Sequence, residues 1–234
     1  MGELDSKKEA ETMFGLDRIK MPRKADEVHT RISRQMEVEQ PRYGKAKVEV
    51  VDGFEDLIGG PLGEGFYFNS PGTGYQLSFA LAIAPNIALD EALRDASLVH
   101  SHDIVKILRE KQVLKGLKVV DLGCGPAELV VAMKALGATS YGVDTGDLRS
   151  DRLPQIDGYI DVDLNSDQAV QRIVGASNGK FDLVTENILG GVWGSDVKEA
   201  TPERIIQISS ELLKPKGYLY MPARHRQGVW QKLS

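Results

Sequence analysis

Between Gly116 and Met221 the chain repeats one pattern: a short apolar run, a turn, then an amphipathic segment. Residues 117–122 are apolar apart from Lys118 and Asp121 and run into a glycine turn, which reads as a buried strand. Residues 126–136 come next as a helix. Pro126 suits a first helical position, Leu129, Met133 and Leu136 share a face, and Gly137 ends it. Residues 141–143, closed by Asp144, read as a second strand, and residues 159–163 as a third. A helix over 168–174 and a strand over 181–184 come after these. Thr201-Pro202 caps a helix that runs through Leu213, Lys214-Pro-Lys-Gly217 breaks it, and 218–221 is the last strand of the series. Strands alternating with helices demand a mostly parallel sheet covered on both faces, an α/β doubly wound, Rossmann-like architecture.

The part before this series is organised differently. Residues 1–44 mix Arg and Lys with Asp and Glu at weak periodicity and read as a flexible or docking N-terminal arm, helical on docking. Residues 45–113 read as an extension or cap. Strands over 45–51 and 66–70 around turn-rich glycines make a candidate β-hairpin, and a helix is expected over 87–113. The glycine-rich stretch 59–74 is either a lid or a plain surface loop. Residues 114–234 then form the core domain. Lys and Arg total 29 against 34 Asp and Glu, a net charge of -5, which argues against indiscriminate binding to nucleic-acid backbone. The lone cysteine, Cys124, excludes an internal disulfide and fits a reducing, cytoplasmic setting. The charged start is not expected to be a signal peptide, its formal match to a myristoylation pattern is discounted for the acid after Gly2, and no apolar run is long enough to span a membrane.

Chemistry concentrates in Val119-Val-Asp-Leu-Gly-Cys-Gly-Pro-Ala-Glu128. In a doubly wound sheet such a turn sits at the carboxyl end of a strand, where ligands bind. Gly123 and Gly125 leave the backbone open to close approach, and Asp144, about 20 residues on, can accept both hydroxyls of a ribose. This much also suits a nicotinamide cofactor. Two details point away from it. Glu128 stands where the dinucleotide fingerprint has its third glycine, and Asp121 would repel a pyrophosphate. A cofactor with an ammonium group and a sulfonium favours carboxylates instead.

The motif resembles the first motif of the class I S-adenosylmethionine (SAM)-dependent methyltransferases. Gly142-Val-Asp144 is similar to the second, Phe181-Asp-Leu-Val184 to the fourth-strand motif, and Leu212-Leu-Lys-Pro-Lys-Gly-Tyr-Leu219 to the turn into the fifth strand, over roughly half the chain. The resemblance implies transfer of a methyl group from SAM to an acceptor. It also implies that Asp121, Gly123, Cys124 and Gly125 line the methionine part, that Asp144 binds the ribose, and that Asp163 with Leu164 lies at the adenine. Glu186 and Asn187 would face the methyl group and the acceptor. Asp161 competes with Asp163, which is nearer the strand end. Glu186 is either a general base or a structural cap of the adjoining helix or loop. The acidic balance favours a small-molecule acceptor over protein or RNA. An inactive binding module on the same fold is the alternative from another class, and a nicotinamide oxidoreductase a third.

Other polar and aromatic residues have plainer readings. Cys124 is expected to be a small buried residue, His100 and His102 lie on different helix faces, and Trp193 is a covering hydrophobe or a stacking platform. Arg224-His-Arg226 reads as a solvated turn, and Phe66-Tyr67-Phe68 as sheet core. One departure from the family stands out. Its members usually end in a sixth and seventh strand forming an antiparallel pair, and only about a dozen residues follow Met221. Truncation, a shortened sheet, or completion of the sheet by 45–51 and 66–70 are the three ways out.

Overall fold

A computed structural model of the chain describes residues 14–30, 73–84, 90, 91, 94, 104–125, 127–146, 155–186, 200–221 and 228–234. The alternating series forms as its hydrophobic pattern requires. Five parallel strands are β2 (Lys118–Leu122), β3 (Thr139–Asp144), β4 (Gly158–Asp161), β5 (Phe181–Glu186) and β6 (Leu213–Met221). In β2, Val119 joins one core cluster and Val120 the other, so the strand is buried on both faces. Between β5 and β6 the register passes from Phe181↔Leu213 to Leu183↔Tyr218. The Lys-Pro-Lys-Gly segment is therefore bulged out of the ladder, with Lys216 at φ 64°.

Helices α1 (Thr73–Ile83), α2 (Ile104–Glu110) and α3 (Glu128–Ala135) cover the face that carries Val119, Leu183 and Tyr220. On it Phe79 stacks on Tyr220 with ring centroids 5.1 Å apart. Helices α4 (Ala169–Ser177) and α5 (Pro202–Leu212) cover the other face, against Val120, Val184 and Leu219. The α5 cap forms as expected, with Thr201 accepting a hydrogen bond from Arg204 N and Pro202 in the first turn. The helix expected to stop at Val174 continues to Ser177 and ends where Asn178 and then Gly179 turn left-handed. The helix expected over 87–113 ends at Glu110, because Gln112 takes φ 48° and turns the chain back toward β2. Residues 73–83, read partly as loop, form α1.

The sheet has seven strands in the order β1 (Leu16–Ile19), β7 (Gly228–Lys232), β6, β5, β2, β3 and β4. The antiparallel pair is present, assembled from both sides of the parallel unit. Strand β7 (Gly228–Lys232) folds back antiparallel on β6, and β1 (Leu16–Ile19) pairs antiparallel with β7. Among the described residues the shortfall after Met221 is filled by residues 16–19, inside the stretch read as a polar arm; the segments at 45–51 and 66–70 lie outside the described residues. Leu16 is 1% exposed in the cluster with Trp230, and the Arg18 guanidinium lies 5.5 Å from the Trp230 ring. Lys232 Nζ donates to Ser210 Oγ at 2.6 Å, and the Ser210 hydroxyl hydrogen-bonds Phe14 O, which fastens this strand to α5. Helical residues 23–30 then place Ala25 and Val28 in the core cluster with α1. No helix among the described residues is long and apolar enough to cross a membrane.

Candidate functional site

All five parallel strands run their carboxyl ends to one edge, and the expected site residues gather there. The loop after β2 is stitched to the tip of β3. Gly123 N and Cys124 N both donate to Val143 O, at 2.8 and 3.0 Å, and Gly125 N donates to Asp144 Oδ2 at 2.6 Å. Gly123, Gly125 and Ala127 take φ 70°, 49° and 60°, three alternate left-handed positions before α3. Glycine adopts that region freely. Ala127 does so at a cost of about 1–2 kcal/mol, a strain sustained by the hydrogen bond from Ala127 N to Cys124 O. A Cβ built on Gly125 meets nothing within 4 Å, so the loop presents bare main chain to open space.

The thiol of Cys124 is buried under this loop. A Cβ at Gly142 would stand 2.6 Å from its sulfur, so the glycine of the second motif is required by close approach and not by its turn. Burial, with Asp121 and Asp144 nearby, pushes the thiol up, as suits a small packed residue rather than a nucleophile.

Asp121 lies on the face covered by α1 and α3 and is 4% exposed. Burial pushes its carboxyl up to about 7, against the hydrogen bond donated by Thr185 Oγ1 at 2.7 Å; Glu186 and Asp144 add to the upward push. Glu186, the last residue of β5, is equally buried. The carboxylates of Asp121, Asp144 and Glu186 therefore share one strand edge. Asp144 holds one backbone amide on each oxygen, Gly125 N on Oδ2 and Thr145 N on Oδ1. A carboxylate offers about four acceptor positions, so two remain.

The adenine pair is less compact. Strand β4 ends at Asp161, which is paired with Asp144 in register, and Asp163 lies in the turn beyond it, accepting Asn165 N at 2.8 Å. Leu164 is buried in the cluster against α5, and its carbonyl accepts Arg204 Nε at 3.0 Å. The structure thus brings together Asp121, Gly123, Cys124, Gly125, Asp144 and Glu186, with Asp163 one turn further along. Asn187 lies outside the described residues, as do His100, His102, Trp193, Arg224-His-Arg226 and the 59–70 stretch. One residue of the site, Thr185, escapes a reading of the sequence, and one contact, at Gly142, does too. Thr185 was available from strand alternation, two positions after Leu183 on the same face. Gly142 was legible as the first residue of the second motif, but its close approach to the Cys124 sulfur was not.

No protein-family model matches the chain. Among known proteins it is similar to the ribosomal protein L11 methyltransferase of Thermosipho africanus, 28% identical over 55% of this chain and 47% of that protein. It is also similar to the ubiquinone biosynthesis O-methyltransferase of Pseudomonas aeruginosa, 30% identical over 57% of each. The chain spans about half the length of these relatives. A solved precorrin-6y C5,15-methyltransferase from Geobacter metallireducens overlaps 53% of this chain and 64% of its own at 16% identity and a TM-score of 0.34, which adds nothing to the topology above.

Proposed function

We propose that this chain, a class I SAM-dependent methyltransferase in fold and in sequence likeness, transfers a methyl group from SAM to a small-molecule acceptor at the carboxyl edge of its parallel strands. The observation that carries the reading is the bond from Gly125 N to Asp144 Oδ2, which closes a side-chain-free loop onto a strand-tip carboxylate. That pairing of bare main chain with a ribose-sized acceptor is what a sulfonium nucleoside requires. A cluster of three carboxylates fits the same group, since their mutual repulsion is relieved by a cationic ligand.

In this reading Asp121, Gly123, Cys124 and Gly125 line the methionine end, and Asp144 accepts the ribose hydroxyls with its two free lone-pair positions. Asp163 and Leu164 border the adenine, with Asp161 beside Asp144 as a further acceptor. Bound SAM supplies a methyl group already activated on a sulfonium. The chain's own residues then have to hold the acceptor in line and exclude water. Glu186, buried at the end of β5, takes the acceptor's proton when the nucleophile carries one, and Asn187 orients the acceptor beside it. The net charge of -5 supports a small acceptor over nucleic acid, and the lone Cys124 supports a cytoplasmic setting.

Calorimetric titration of the full chain with SAM and with NADH tests the cofactor: SAM binds and NADH does not. Transfer of labelled methyl to phenolic, amine and carboxylate acceptors, with a ribosomal protein and an RNA as comparisons, then tests the acceptor class. Transfer confined to the protein or the RNA would overturn the small-molecule reading, and NADH binding without SAM the whole of it.

A further inference from the structure

Thr185 is fully buried on β5, in direct register with Asp121 on β2. Its hydroxyl lies 2.7 Å from Asp121 Oδ1 and 3.5 Å from Val120 O. A hydroxyl has one proton, and the shorter contact is to the carboxylate. A β-branched side chain in a strand has few rotamers, so the hydroxyl is set in place before any ligand arrives. We infer that Thr185 is a positioning residue for the cofactor: by holding Asp121 through Oδ1 it presents Oδ2 to the ammonium end of SAM. This rests on the cofactor reading above.

The electrostatics of the site make that bond consequential. Glu186 on β5 and Asp144 on β3 both favour protonated Asp121, as does burial, while the Thr185 hydrogen bond is what favours the ionised form. Of the helices on this face, α1 carries no Asp, Glu, Lys or Arg, α2 carries Lys106, Arg109 and Glu110, and α3 carries Glu128 and Lys134, the latter paired with Asp157. Cys124 in the loop stays protonated. An ammonium group binds the carboxylate and not the carboxylic acid. SAM affinity therefore rises as pH increases through about 7, where Asp121 loses its proton.

Removing a hydrogen bond to a charged acceptor moves a titration by about one to two pH units. In Thr185→Val, which keeps the shape, the midpoint of SAM affinity against pH moves up by that amount. The variant binds about threefold to 25-fold more weakly near pH 7.5. Thr185→Ser restores the wild-type profile. The carboxyl-carbon resonance of Asp121, assigned by its loss in Asp121→Asn, gives the same midpoint without ligand, and its upward move in Thr185→Val is expected in parallel. An unchanged midpoint, whether affinity falls equally at every pH or not at all, would overturn the inference. If wild-type protein binds no SAM at any pH, the cofactor reading fails instead, while the resonance still reports whether Thr185 controls Asp121.

Discussion

The two ends of the parallel strands treat charge in opposite ways. At the amino end Asp182 is neutralised by bases beside it. It accepts Lys214 Nζ at 2.9 Å on each oxygen and Lys118 N at 2.9 Å on one of them. Lys118 Nζ donates to Ser177 O and Gly179 O, at 2.7 and 3.2 Å, closing the end of α4. At the carboxyl end Asp121, Asp144 and Glu186 gather instead, and the hydrogen-bond partners seen for the first two are a hydroxyl and backbone amides. The same sheet that settles its charges at one edge accumulates repulsion at the other, together with the left-handed Ala127. Strain at Ala127 and three gathered carboxyl groups mark this edge off from the other, as suits the cationic ligand proposed above.

That contrast can be broken by exchanging the roles of the two ends. The largest effect is expected from Asp144→Ala, which removes two acceptor positions from the ribose and should weaken SAM binding by about 100-fold in calorimetry. Asp121→Asn separates stability from function. The native carboxyl keeps its proton up to about 7, whereas the unfolded chain releases it near the ordinary value of 3.8, so wild-type stability falls as pH rises between the two. The asparagine variant escapes that loss. By thermal or urea unfolding at pH 8 it should be more stable than wild type by on the order of 1–4 kcal/mol, with the difference gone near pH 4, while SAM affinity at pH 8 falls.

Asp182→Ala does the reverse. It should lose about 2 kcal/mol of unfolding free energy, from the hydrogen bonds to Lys118 and Lys214, and leave SAM affinity unchanged. A drop in affinity there would show that the two ends are not independent. The smallest effect is expected from Gly142→Ala, where the new Cβ meets the Cys124 sulfur: a cost of about 1 kcal/mol or more, largely relieved in Gly142→Ala/Cys124→Ala. Unfolding of the single and double variants measures that coupling.

Much of this was legible in the sequence, and the exceptions have physical causes. Strands β2 and β5 announce themselves because burial on both faces makes nearly continuous apolar runs, and the strand tips fall where Gly123, Asp144 and Glu186 lie. Strand β1 was hidden for the opposite reason. Leu16–Ile19 is four residues long, with Asp17 and Arg18 exposed, and its partner Lys232 is distant along the chain, so neither periodicity nor a nearby turn reveals it. Its one fully buried side chain is Leu16, with Ile19 packed partly buried against the other core cluster. Helix α1 was hidden because residues 76–81 are all buried, Gln76 and Ser78 included, so no exposed polar stripe marks a helical period. At the site, residue types were readable but partnerships were not: Asp121 with Thr185, and Gly142 with the Cys124 sulfur, depend on the register between strands.

A crystal structure of the full chain with S-adenosylhomocysteine tests the central claim most directly. The account predicts the ribose hydroxyls on Asp144, the main chain of Gly123 and Gly125 against the methionine part, and the amino group toward Asp121. A ligand bound away from this edge, or Asp144 turned from the crevice with its carboxylate out of reach of the ribose, would contradict it.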